Sequence, residues 1–159
     1  MNIKAVELTD PAVKSIGIVP TPRERPVVPS GTEFLYGETL HDLGLAGPLS
    51  SGSLECASRP MKVSKMECHV KTPELLVALD GDAVVCCAPP QPSGPGGLKD
   101  VVAVKMRAGE ALLMLTGTWH WIPFPTGKKT VRYLVVFRNQ TGADDLNFCD
   151  LPEQVTVTG

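Results

Sequence analysis

Four side chains able to bind a metal or move a proton stand in two short strings of this chain. Glu67-x-His69 is followed by four residues, then Glu74, then six residues, then Gly81. Further on, Gly109 is followed by five residues and then Leu115-x-Gly117-x-x-His120. Successive side chains of an extended segment point to opposite faces, so Glu67 and His69 share a face and Cys68 turns away. Glu74 opens the apolar run Leu75 to Leu79, and a turn over Val70 to Pro73 can return it beside His69. Two carboxylates and two imidazoles suit a borderline divalent ion such as Zn, Ni, Mn or Fe. The spacing therefore makes Glu67, His69, Glu74 and His120 candidate ligands of one divalent metal. Glu67, Glu74 and His120 are also the candidate catalytic groups, because each can carry a proton to or from a bound substrate. The plainer reading of the same residues is a set of surface charges and a packed histidine.

Other side chains near these strings could take part. Lys65 shares the strand face of Glu67 and His69 by alternation. It is either the anchor of an acidic substrate or a residue turned to solvent by a bulge, since a lysine pointing into a core needs a carboxylate partner. Tyr133 lies on the apolar face of the run Val131 to Arg138, where it either donates to a ligand or packs in the core. Trp119 and Trp121 flank His120 and alternate away from it, toward a second sheet or a partner copy. His41 lies in a Gly-rich region and reads as solvated.

The elements that would position these groups are short. Fifteen prolines and fifteen glycines in 159 residues leave little room for long helices. Short β-rich runs separated by turn residues point to an all-β sandwich or barrel. Asp10 can cap a short N-terminal helix from Pro11 through Ile16, which Gly17 ends. Residues 20 to 30 hold four prolines and read as an extended arm; Phe34 to Tyr36 is a short strand, and Asp42 to Ser53 reads as loop. Strands follow at Met61 to Val70, Leu75 to Leu79, Ala83 to Ala88, Val101 to Met106, Ala111 to Leu115 and Val131 to Arg138. Asp80-Gly81-Asp82 signals a tight hairpin between the second and third of these. Residues 89 to 97 are too rich in Pro and Gly to pair in a sheet. A polar tail returns as Val155 to Val157.

The two strings resemble the two cupin motifs, G-x5-H-x-H-x3-4-E-x6-G and G-x5-P-x-G-x-x-H-x3-N. Glu67 stands at the first histidine position and Leu115 at the proline. Within that superfamily the chain is similar to the ureidoglycolate lyase family over roughly residues 60 to 150. Met66-Glu67-Cys68-His69 matches its M-E-R-H, Ala83 to Pro90 its V-V-V-A-P, Gly117-Thr118-Trp119-His120-Trp121 its G-V-W-H-H, and Leu134 to Arg138 its L-V-V-D-R. Cys68, Val70, Trp121 and Phe137 depart from the arginine, proline, second histidine and aspartate of that family, and Thr72-Pro73-Glu74 stands where it tends to have S-Q. The resemblance implies a cupin-type double-stranded β-helix, or jelly-roll barrel. It implies a homodimer, and an enzyme that releases urea from ureidoglycolate to leave glyoxylate.

At this length the chain is one domain: residues 1–58 form an arm, short helix and strands packing on a barrel core of residues 59–159. A net charge of −2 and a pI near 5.9 give no attraction for nucleic acid or an anionic membrane. No run reaches transmembrane length, and Met1 to Lys4 lacks the apolar core of a signal peptide. Five cysteines, an odd number with two adjacent, argue for free thiols and a cytoplasmic setting. The leading expectation is a carbon–nitrogen lyase acting on a small 2-hydroxy or 2-ureido acid. The rivals are another metal-dependent cupin enzyme, an isomerase or dioxygenase, and a non-catalytic cupin that binds a small acid.

Overall fold

The computed structural model describes residues 1–20, 42–127 and 129–158. Its strands in chain order are β1 (Asn2–Lys4), β2 (Val6–Glu7), β3 (Gly17–Ile18), β4 (Leu49–Ala57), β5 (Lys62–Cys68), β6 (Glu74–Ala78), β7 (Ala83–Ala88), β8 (Val102–Met106), β9 (Ala111–Met114), β10 (Trp119–His120), β11 (Phe124–Pro125), β12 (Thr130–Arg138) and β13 (Asn147–Thr158). One helical turn, α1 (Thr141–Asp144), precedes the last strand. The strands make two sheets. The larger runs β1-β13-β5-β10-β7-β8-β2 with β11 also on β7, and the smaller runs β3-β9-β6-β12-β4. This is the jelly-roll, cupin-type barrel, and among the described residues it is all β apart from short helical turns.

Two apolar clusters hold it together, and β7 explains why there are two. All six of its residues are buried. Ala83, Val85 and Cys87 face the barrel interior, with Leu76, Leu112, Met114, Val131, Tyr133 and Val135 from the smaller sheet. Val84, Cys86 and Ala88 face the other side of the larger sheet, with Met66, Trp119, Phe124 and Leu151. The period-2 alternation of a strand divides one sequence run between two cores. β12 shows the simpler case: Val131, Tyr133 and Val135 are buried while Arg132 and Leu134 are exposed.

Four expectations change. Asp80-Gly81-Asp82 does not close a hairpin, because β6 and β7 belong to different sheets. β6 pairs instead with β9 and β12, and the turn carries the chain across the barrel corner. Burial of both flanking runs outweighs the local turn signal. Residues 49 to 53 are strand rather than loop. Leu49 to Ala57 pairs along its whole length with β12, so the partner's register supplies order that a Ser- and Gly-rich stretch lacks on its own. The N-terminal helix is a 3-10 turn, Pro11–Ser15, capped by the Asp10 side chain on Ala12 N and closed at Ile16. The tail returns over a strand far longer than the expected three residues, pairing with β5 and, in parallel, with β1. The strand at Phe34 to Tyr36, His41 and all but the first residue of the expected arm lie outside the described residues.

The N-terminal strands enter both sheets: β1 on β13, β2 on β8, β3 on β9 and β4 on β12. No helix among the described residues is long and apolar enough to cross a membrane. All five cysteines are free thiols.

Candidate metal centre

The site forms where the two sheets face each other at one end of the barrel. Glu67 lies on β5, and its pairing partner on the next strand is His120 of β10. His69 follows the end of β5, and Glu74 begins β6 in the opposite sheet. The turn Val70 to Pro73 thus crosses between sheets, and it brings Glu74 Oε2 to 3.0 Å from His69 Nε2. The same oxygen lies 3.7 Å from His120 Nε2, and Glu67 Oε1 lies 3.8 Å from that nitrogen. His69, Glu74 and His120 are all buried, while Glu67 is partly open.

Backbone hydrogen bonds link the two strings. Gly117 N–H donates to the His69 carbonyl at 2.7 Å, so the loop before His120 is tied to the loop after β5. Gly117 makes this turn at φ +82°, a conformation that a side chain disfavours. Both imidazoles are oriented the same way. His69 Nδ1–H donates to the Asp145 carbonyl at 2.9 Å, and His120 Nδ1–H donates to the Thr118 carbonyl at 3.0 Å. Each Nε2 therefore turns its lone pair toward Glu74. Fixing the outer nitrogen this way is how proteins set the tautomer of a metal-binding histidine.

That arrangement demands a cation. A carboxylate oxygen and an imidazole lone pair at 3.0 Å repel unless a proton or a metal lies between them. Without a metal the proton belongs to His69. Burial would lower its pKa, but the hydrogen bond to Glu74, the Asp145 carbonyl and the charges of Glu74 and Glu67 outweigh that and raise it. Burial would push Glu74 up, yet the charge of His120 and the contact with His69 hold it below the usual carboxylate value.

The donors also fit a metal. His69, Glu74 and His120 offer ligand atoms that all lie within 4.8 Å of one another. Bonds of about 2.0–2.2 Å place neighbouring donors roughly 3–4 Å apart. The separations of 3.0, 3.7 and 3.8 Å fall in that range. The three converging residues can hold a divalent ion, with Glu67 at the edge of the set.

Of the other candidates, Lys65 is outside the three-residue cluster and is not among the residues that line the cavity. Its ammonium stands 4.5 Å from the centre of the Phe148 ring and 5.5 Å from that of Trp121, held by the ring faces. Tyr133 is fully buried in the barrel core and does not line the cavity, and its hydroxyl finds no partner among the described residues. Trp119 is buried, with its indole N–H donating to the Gln91 carbonyl. Trp121 packs against the second apolar cluster and also lines the cavity beside the metal cluster.

The residue that motif reading missed is Asp145. It is buried at the end of α1, and its two carboxylate oxygens accept the backbone N–H groups of Val70 and Lys71, each at 2.9 Å. It lies 76 residues from His69, so no local spacing could have shown it.

Above the cluster opens a cavity of about 310 Å³. Leu54, Leu76, Val85, Met114, Val135 and Phe137 form much of its wall, with Trp121, Ile122 and Leu146 also lining it. The Phe137 ring meets His69 edge-on at 6.0 Å between centres.

Fold and site together define a cupin-type barrel with a His–Glu–His cluster able to hold a metal. No family model and no curated protein matches the chain. Among solved structures it is similar to a mutant of Bacillus subtilis oxalate decarboxylase, with 14% identity, a TM-score of 0.45, and coverage of 65% of this chain and 24% of that one. It is also similar to procruciferin, the 11S globulin from Brassica napus, with 16% identity, a TM-score of 0.44, and coverage of 64% of this chain and 22% of that one. The chain thus spans about a quarter of the length of these proteins or less. The fold class follows from the strand order itself, and neither likeness bears on the chemistry of the site.

Proposed function

We propose that this chain is a metal-dependent cupin enzyme that binds a small 2-hydroxy or 2-ureido acid and breaks the bond between C2 and its leaving group, as a ureidoglycolate lyase does in releasing urea. One observation carries the reading: His69 Nε2, His120 Nε2 and the Glu74 carboxylate converge beneath the cavity, with both Nδ1–H groups already committed to carbonyls. These three side chains would hold the ion, with Glu67 beside it. When bound, a divalent ion supplies Lewis acidity that makes a substrate hydroxyl more acidic.

Glu67 is the base in this scheme. It is the more open of the two carboxylates, and it makes no hydrogen bond among the described residues, whereas Glu74 is committed to His69. Glu67 takes the hydroxyl proton as the oxygen's electron pair forms the new carbonyl. The carbon–nitrogen bond breaks with its pair on nitrogen, and the proton on Glu67 passes to that nitrogen. Ureidoglycolate then gives glyoxylate and urea, with no oxidant or reductant. The substrate carboxylate and hydroxyl share the open side of the cluster.

The test is elemental analysis of protein purified without added metal, followed by an assay of urea release from ureidoglycolate. A chain that binds no divalent ion and releases no urea would reject the reading. The apolar wall also supports a second reading, a binding cupin without turnover. That protein would be stabilised by its ligand and release nothing.

A further inference from the structure

We infer that the free edge of β4 at Ser53 is the subsite for the ureido group: the Ser53 backbone N–H donates to the ureido carbonyl, and the Ser53 C=O accepts from a ureido N–H. This rests on the proposed reading that the metal cluster takes a ureido acid by its carboxylate and hydroxyl, and it names what holds the other end.

Strand register decides which backbone groups are free. β4 lies at the edge of the smaller sheet and pairs on one side only, with β12. In an antiparallel pair, residues bonded to the partner strand alternate with residues whose N–H and C=O point the opposite way. The bonded positions are fixed at both ends of β4. Ser58 N–H donates to the Lys129 carbonyl at 2.7 Å, and Asn139 N–H donates to the Pro48 carbonyl at 2.8 Å. Even-numbered residues therefore face β12, while Ser51, Ser53, Glu55 and Ala57 turn their N–H and C=O outward. The Ala57 carbonyl bears this out, since it accepts Arg59 Nη1 at 3.3 Å.

Arg59 also marks what lies across from this edge. Its guanidinium donates to the Ile122 and Pro123 carbonyls at 2.8 and 2.9 Å, which ties the end of β4 to residues 122–123. Further along, at Gly52 to Leu54, no such tie exists among the described residues. There Gly52, Ser53 and Leu54 line the cavity together with Trp121, Ile122 and Pro123. Among the described residues nothing pairs with the outward N–H or C=O of Ser53. A Cβ on Gly52 would meet nothing within 4 Å, so the wall beside Ser53 leaves room for a ligand group.

At an outward position, a strand residue holds its N–H and C=O side by side, pointing the same way. A ureido group presents its carbonyl and a syn N–H in the same manner. The two match as a rung of a sheet does, which is how an open edge takes a peptide. The metal cluster lines the same cavity, so one ligand can place its carboxylate and hydroxyl on the ion and its ureido group on Ser53.

Two unreactive acids separate these ends. The 4-amide of malic acid replaces the breaking carbon–nitrogen bond of ureidoglycolate by carbon–carbon and keeps the carboxylate, hydroxyl and terminal amide. 2-Hydroxy-4-methylpentanoate keeps the carboxylate and hydroxyl and has methyls in place of the amide. Both are titrated by calorimetry into the zinc-loaded protein. Ser53→Pro removes the N–H at an outward edge position, where a strand tolerates proline, and Ser53→Ala keeps it. Ser53→Pro should weaken the malic amide about 5- to 10-fold and leave 2-hydroxy-4-methylpentanoate within about twofold, while Ser53→Ala should keep the selectivity of the original chain. Zinc stoichiometry and a urea melt check that each variant is folded. In the unsubstituted protein the malic amide, and not 2-hydroxy-4-methylpentanoate, should slow hydrogen exchange at the Ser53 amide, a readout that needs no variant. No selective loss in Ser53→Pro, the same loss in Ser53→Ala, or a Ser53 amide left unprotected would overturn the inference and leave the metal site and its 2-hydroxy acid standing. Failure of both acids to bind the zinc-loaded protein would overturn both.

Discussion

Asp145 holds the loop that carries His69. Its carbonyl takes the imidazole Nδ1–H at 2.9 Å, and its carboxylate takes the amides of Val70 and Lys71. A buried carboxylate on two backbone donors, one and two residues after a ligand, ties the geometry of the metal cluster to a single turn of helix. Asp145→Ala leaves two part-buried amides without their acceptor and should cost about 1–3 kcal/mol of stability. It should also weaken zinc binding about 10- to 100-fold, as loss of an orienting partner does. Asp145→Asn keeps one acceptor and should recover part of both. Competition with a chelator of known affinity and a urea melt, run on the same samples, check the two effects together.

His120 comes from the second motif, and it faces His69, Glu67 and Glu74. His120→Ala should abolish stoichiometric metal binding and turnover while the metal-free melting temperature moves only a few degrees. The apolar core beneath it stays in place. If His120 only packs, the variant loses melting temperature and keeps its metal and activity.

Glu67 and Glu74 can be separated. Glu67→Gln should retain the metal, because three donors remain, and should lower kcat about 100- to 10,000-fold, the usual worth of a positioned base. Glu74→Gln should lose the metal first and activity with it. Equal metal loss in both variants would assign Glu67 to the ligand set instead of the base.

The pH dependence of the metal-free protein follows from the His69–Glu74 contact. The folded-state pKa of His69 is raised above 6.5, so its contribution to stability is full below 6.5 and is lost as pH rises through the raised value. That of Glu74 is lowered from 4.5, so its contribution is full above 4.5 and is lost as pH falls through the lowered value. Stability from this pair should therefore be greatest between pH 4.5 and 6.5 and fall on either side. Saturating zinc replaces the proton on His69, so the loss on the alkaline side should disappear. Urea midpoints across pH, with zinc and with chelator, measure it.

Tyr133 offers a test in the opposite direction. Its hydroxyl is buried with no partner among the described residues, and burial pushes its pKa up. Tyr133→Phe should leave ligand binding unchanged and should stabilise the fold by about 1 kcal/mol, because a buried hydroxyl without a hydrogen bond costs that much or more. Weakened ligand binding would place the hydroxyl in the site after all.

By itself the sequence determined what local chemistry can determine. Period-2 alternation marked β5 and β12, a continuous apolar run marked β7, and Gly109 and Gly117 marked two turns, which the structure makes at positive φ. The spacing of two short strings picked out His69, Glu74 and His120, because a metal cluster built from adjacent strands leaves its ligands at strand ends and turns. Partnership was not legible. Whether Asp80 to Asp82 closes a hairpin or crosses a corner depends on which sheet buries β6, and a Ser- and Gly-rich segment became β4 because β12 lies beside it. Alternation put Lys65 and Glu67 on one face, but only the neighbouring Phe148 and Trp121 rings show where the ammonium rests. Asp145 and the apolar wall of the cavity belong to the tertiary structure alone, because hydrogen bonds and burial join residues by distance in space and not by distance along the chain.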